Sequence, residues 1–157
     1  MASRELKVGD KAPSFTLPAD GGGKVSLAEL KGKSVVLYFY PKDDTSGCTA
    51  EAIAFSKDSK AFKAAGAVVV GVSKDSAASH DKFKAKYDLS VTLVADEETK
   101  TAEAYGVWVE KSMYGRRYMG MERATFLIDG KGIIRHIWRK VKVPGHSVEV
   151  LAAAKAL

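Results

Sequence analysis

The chain has 157 residues, 46% of them hydrophobic and 28% charged, and a formal net charge of +6. Residues 1–157 are enough for a single domain with its own buried core, and the composition excludes an intrinsically disordered chain. One cysteine cannot close a disulfide within the chain, which excludes a disulfide-stapled secreted framework and points to a reducing, cytoplasmic setting.

The opening stretch MASRELKVGDKAPSF mixes Arg4, Glu5, Lys7, Asp10 and Lys11 with no apolar centre, unlike a secretory signal. The longest apolar runs, VVLYFY and AGAVVVGV, fall far short of the roughly 20 residues a membrane span needs, and no membrane association is expected. The 25 lysines and arginines lie among 19 acids, as in SKDSKAFK and SHDKFKAKYD. That is the pattern of a solvated basic surface, not of a nucleic-acid-binding stripe. YGRRY is the one local basic cluster.

An N-terminal piece containing GGGK and VSLAEL comes first. SVVLYFY, rich in β-branched and aromatic residues, predicts a buried strand. From about Ser46 to Ala65, Ile53, Phe55, Ala61, Phe62 and Ala65 recur at helical spacing, with Gly66 placed as a C-terminal cap. AVVVGVS is a second buried strand, and SAASHDKFKAKYDL a helix that Ser76 caps and in which Phe83 and Tyr87 stand one turn apart. VTLVAD predicts a third strand and ETKTAEAYGV a short helix ending at Gly106. ATFLIDGKGIIRHIWR reads as a hairpin about DGKG, and SVEVLAAAKAL as the closing helix. Alternating strands and helices followed by a hairpin imply an α/β fold. Its mixed central β-sheet, flanked by helices on both faces, resembles the thioredoxin-like class.

The lone thiol, Cys48, follows the first strand and the turn PKDDTSG. Pro41 ends the strand because it cannot donate to a ladder, and Gly47 lets the backbone approach whatever lies beside the sulfur. A helix beginning near Ser46 puts Cys48 in its first turn, where free backbone N–H groups and the helix dipole favour thiolate, the reactive form, over thiol. The same position also suits a small buried apolar residue. The Thr45 hydroxyl is placed either to cap the helix or to meet both the thiolate and a substrate hydroxyl. Arg123, at the opening of a buried strand, either forms a surface ion pair or serves an anionic partner inside.

Pro41 through Cys48, PKDDTSGC, matches the PxxxTxxC signature of peroxiredoxins, and its extension GCTAE is similar to the bacterioferritin-comigratory, or Q-type, branch. The likeness runs through VGDKAPSFTLPAD, VVVGVSKDS, LVADEE, YGVW, EKSMYG and ERATFLIDGKGII, nearly the whole chain. The resemblance implies that Cys48 is the peroxidatic nucleophile and that Thr45 hydrogen-bonds both thiolate and peroxide. It further implies that Pro41 shields the site from water and that Arg123 holds the thiolate and polarises the peroxide. Glu51, one turn after Cys48, either braces that arginine or is an ordinary acid near a helix start. The implied reaction is reduction of hydrogen peroxide and organic hydroperoxides through a cysteine sulfenic acid, with no cofactor. No metal is expected, since His80, His136 and His146 lack ligand-like spacing.

Many Q-type relatives carry a second cysteine five residues after the first, where this chain has Ile53; others carry it on the next helix, and SHDKFKAKYD has none. Ile53 is therefore expected simply to pack. A one-cysteine cycle follows, in which an external thiol of thioredoxin, glutaredoxin or glutathione type, or Cys48 of another copy, reduces the sulfenate. The family suggests a monomer. The competing readings are a redox-sensing thioredoxin-like module and nucleic-acid binding through YGRRY. A disulfide reductase is disfavoured, because no CxxC is present.

Overall fold

The computed structural model describes residues 5–157; Arg4 and the rest of the first four positions, which entered the reading of the N-terminus, lie outside them. The central strand β3 (Ser34–Phe39) pairs in parallel with β4 (Ala67–Ser73), which pairs in parallel with β5 (Thr92–Ala95). On its other side β3 runs antiparallel to β8 (Ala124–Ile128), followed by β9 (Ile134–Trp138), giving the order β5-β4-β3-β8-β9. The mixed α/β sheet expected from the sequence is present, and the DGKG turn closes the β8–β9 hairpin.

The strand period of two divides β3 between two cores. Val35, Leu37 and Phe39 enter one, with Phe15 and Leu27 of the N-terminal arm and Ala102 of α4 (Lys100–Ala104). Val36, Tyr38 and Tyr40 enter the other, with Ala52 and Phe55 of α1 (Ser46–Lys57), Phe62 of α2 (Ser59–Ala64), Phe83 of α3 (Ala77–Tyr87) and Val150 of α5 (His146–Lys155). Burial on both faces is why SVVLYF shows no polar alternation. Ser76 caps α3 as expected, its Oγ accepting from Ser79 N at 3.1 Å, and the Phe83 and Tyr87 rings meet edge to face at 5.6 Å.

Two details depart from the sequence reading. The helix expected over 46–65 is two helices, broken at Asp58 (φ −92°, ψ 9°), where the polar run KDS weakly favours continuation. A hairpin absent from the expected order joins β6 (Trp108–Met113) to β7 (Arg116–Met121), with Tyr114 and Gly115 at φ +52° and +78° in the turn. Its charges hide the strand pattern, and Tyr-Gly is a weaker turn signal than Asn-Gly. YGRRY lies in this hairpin. Two short strands, β1 (Thr16–Pro18) and β2 (Lys24–Ser26), pair in the N-terminal arm.

Gly71 of β4 faces Tyr38 of β3, whose ring stacks on Tyr40 and Phe55 at 5.5 and 4.7 Å. A Cβ on Gly71 would lie 2.6 Å from that ring and 2.9 Å from Leu93. Gly71→Ala is therefore expected to destabilise the fold by about 1–3 kcal/mol through overpacking, read as a fall in the urea midpoint.

Candidate active site

The β3–β8 register builds the site. Phe39 pairs with Ala124, so Arg123, one residue earlier in the antiparallel strand, stands beside the chain leaving β3. That chain runs through Tyr40 and Pro41 into a polar loop and enters α1 at Ser46. Cys48, in the first turn, is 1% exposed, and Arg123 Nη2 donates to its Sγ at 3.3 Å. Gly47 makes this approach possible: a Cβ there would be 3.1 Å from Arg123 Nη2. The remote arginine thus meets the thiol across 75 positions of sequence.

Glu51 lies one turn further along α1, 1% exposed, and its Oε1 accepts from Arg123 Nη1 at 2.7 Å. Arg123 therefore spans a carboxylate and a sulfur with its two terminal nitrogens. Glu51 Oε2 is buried without a hydrogen-bond partner among the described residues. Burial raises the Glu51 carboxyl to about 7, against the lowering pull of the Arg123 charge and hydrogen bond. Burial disfavours the Arg123 cation, but the charges of Glu51 and Cys48 outweigh it and raise its value. The bracing carboxylate, one of the two alternatives for Glu51, is what the geometry contains.

Thr45 and Ile53 depart from expectation. The Thr45 hydroxyl neither caps α1 nor bonds to Sγ; it donates to the carbonyl of Lys42 at 2.8 Å, because the loop folds back on itself there. Its side chain is exposed, with oxygen lone pairs left to accept. Ile53 does not pack away: it is 39% exposed, since five residues carry it about 140° round the helix from Cys48. Pro41 sits half-buried at the end of β3. Among the described residues, no group of three His, Cys, Asp or Glu gathers where it would hold a metal ion.

The loop is held by two acids whose importance the sequence did not signal. Asp43, buried, accepts from the Tyr40 hydroxyl at 2.5 Å and the Ser79 hydroxyl at 2.8 Å, and pairs with His80 Nδ1 at 2.7 Å. His80 Nε2 lies 2.8 Å from the carbonyl of Val94, so both ring nitrogens face acceptors, the arrangement that suits an imidazolium. Burial alone would lower the His80 value, but the Asp43 hydrogen bond and charge, with Val94 and Asp75, raise it. Asp44, at φ +58°, receives Lys86 Nζ at 2.7 Å and the Tyr87 hydroxyl at 2.5 Å. Consecutive acids thus clamp the loop to α3. The available signal was the pair DD in the motif and a histidine in the first turn of α3.

The AhpC/TSA family profile matches residues 8–137. Peroxiredoxin Bcp of Bacillus subtilis is 49% identical over 150 residues, covering 96% of each chain. The solved structure of a peroxiredoxin Q from Xylella fastidiosa superposes with a TM-score of 0.92 at 39% identity, covering 98% of each chain. That of the Xanthomonas campestris bacterioferritin comigratory protein, solved in work on its alkyl peroxide reduction activity, gives 0.87 at 44% identity, covering 90% of each.

The Glu51 carboxyl generates a pH prediction. Its folded value, about 7, exceeds the ordinary 4.5, so the folded chain holds this proton more tightly than the unfolded one. The resulting stabilisation is complete below about 4.5 and is lost as pH rises through about 7. Glu51→Gln, which does not titrate, should flatten the fall in stability between about pH 5 and pH 8 by on the order of 2 kcal/mol. Urea midpoints at the two pH values check it; an unaltered slope would mean that Glu51 is already ionised throughout.

Proposed function

The chain belongs to the AhpC/TSA family, as a one-cysteine member of its bacterioferritin-comigratory peroxiredoxin branch, and we propose that Cys48 is its peroxidatic nucleophile. It is a thiol-dependent peroxidase. The observation that carries the assignment of Cys48 is the 3.3 Å contact between its sulfur and a guanidinium that a buried carboxylate holds in place.

The Cys48 thiolate attacks the terminal oxygen of a hydroperoxide, an S–O bond forms as the O–O bond breaks, and the sulfur becomes a sulfenic acid. The electron pair of the broken bond leaves on the alkoxide or hydroxide, which takes a proton and departs as alcohol or water. Negative charge moves from sulfur to the leaving oxygen during this step. The Arg123 guanidinium and the backbone N–H groups of the first turn of α1 are already aimed into that space, so they stabilise the transition state more than the bound peroxide. Thr45 accepts from the peroxide O–H through its free lone pairs, and Pro41 shields the reacting oxygens from water. Glu51 is a positioning residue that fixes the plane of the Arg123 fork.

Alkyl hydroperoxides join hydrogen peroxide as substrates, in line with the alkyl peroxide reduction of the Xanthomonas relative. With no second cysteine, the sulfenate is reduced by a thiol from outside the chain. The chain works as a single catalytic domain over 1–157, a monomer, in a reducing compartment such as the cytoplasm. No helix of the described residues is long and apolar enough to cross a membrane.

Stopped-flow peroxide reduction tests the assignment. Cys48→Ser should abolish the reaction, and Arg123→Ala should slow it by about 100-fold or more. A parental rate in either variant would remove that residue from its role.

A further inference from the structure

The β6–β7 hairpin makes no strand pairing with the central sheet, and a two-stranded ribbon on its own is marginal in water. Yet it concentrates exposed apolar surface. Of the eight large hydrophobic side chains exposed among the described residues, Met113, Tyr114, Tyr118 and Met119 are on this hairpin, at 56, 99, 44 and 50% exposure. Side chains directly opposite each other share a face. Lys111 with Tyr118 and Met113 with Arg116 therefore lie on one face; Glu110 with Met119 and Ser112 with Arg117 lie on the other.

The two faces differ in charge. Glu110 pairs with Arg117 at 3.5 Å on its own side. The face of Lys111, Met113, Arg116 and Tyr118 carries two cations, two apolar side chains and no acid. This face also leads to the thiol. Both Lys111 and Tyr118 lie over Gly120, where a Cβ would meet them at 3.0 and 3.4 Å. The Lys111 ammonium donates to the carbonyl of Met121 at 2.5 Å, two residues before Arg123. Burial first, and then the neighbouring Arg123 charge, hold the Lys111 value below the ordinary lysine range, against Cys48 and Glu122, which raise it. A continuous basic and apolar strip thus runs from the mouth of the site to the hairpin tip.

We propose that this strip is the docking surface for the reducing partner, a dithiol protein whose surface around its reactive thiol is acidic and apolar. The proposal rests on the peroxidase reading of Cys48. Charge decides the occupant: a second copy would bring another net +6 and another pair of cations against this face. The partner's thiolate attacks Cys48 Sγ, the S–O bond breaks, and the oxygen leaves as water after protonation, giving a mixed disulfide. The partner's second thiol then displaces Cys48 as thiolate. The partner is oxidised by two electrons to a disulfide, and Cys48 is returned to its starting state.

The test uses thioredoxin, kept reduced by its reductase and NADPH, beside dithiothreitol as a small reductant that needs no docking. Two variants, Arg116→Glu and the double change Met113→Ser with Tyr118→Ser, are compared with the parent. Each should raise the KM for thioredoxin about tenfold or more, while turnover with dithiothreitol and the stopped-flow reaction of Cys48 with peroxide stay within about twofold. An unchanged KM for thioredoxin, or equal loss with dithiothreitol, would overturn the docking surface. A parent that dithiothreitol recycles but thioredoxin does not would also overturn it, and would leave the peroxidase reading standing. Competition from an RNA oligonucleotide that Arg116→Glu relieves would reassign the strip to nucleic acid.

Discussion

The guanidinium of Arg123, held between the Glu51 carboxylate at 2.7 Å and the Cys48 sulfur at 3.3 Å, is the interaction on which the site depends. Desolvating ionic groups is costly, and an arrangement of this kind persists only where each charge has a partner in good geometry. Here one guanidinium reaches both a carboxyl and a sulfur through its two terminal nitrogens. Glu51 has one oxygen on Arg123 and one with no partner, and burial raises the carboxyl to about 7 despite the adjacent cation. The buried polar groups around the sulfur are therefore imperfectly satisfied.

Holding this geometry falls to parts of the fold that touch no reacting atom. The loop between β3 and α1 carries Asp43 and Asp44, and both reach α3, one through the buried His80 and Ser79, the other through Lys86 and Tyr87 at the surface. The internal anchor is the stronger, because its hydrogen bonds are charge-assisted and shielded from water, whereas the exposed pair is screened. This chain has Ile53 on the solvent side of α1 and no second thiol, so no disulfide can form within it to pull on the clamped loop.

That reductant has to approach a sulfur that is 1% exposed. The β6–β7 hairpin stands beside the mouth of the site with Lys111 at its base and an exposed apolar tip. Its position follows from chain connectivity, since β7 ends at Met121 and Arg123 follows immediately before β8. One stretch of chain therefore supplies both the hairpin and the cation that contacts the sulfur.

The sequence alone was enough to read the buried strands, the helices around Ser76 and the C-terminus, the β8–β9 hairpin and the identity of the thiol. These are local signals: β-branched runs, caps, turn residues and a cysteine behind a proline and a glycine. Pairing Arg123 with Cys48 came from family resemblance, because 75 residues separate them and no local pattern links the two. What joins them is the antiparallel register of Phe39 with Ala124, a long-range backbone pairing that only the folded sheet establishes. The Asp43–His80 anchor, the direction of the Thr45 hydroxyl, the exposure of Ile53 and the β6–β7 hairpin were likewise decided by the tertiary structure. Periodicity reports which residues seek burial, whereas a hydrogen-bond partner is chosen among groups that become neighbours only once the chain has packed.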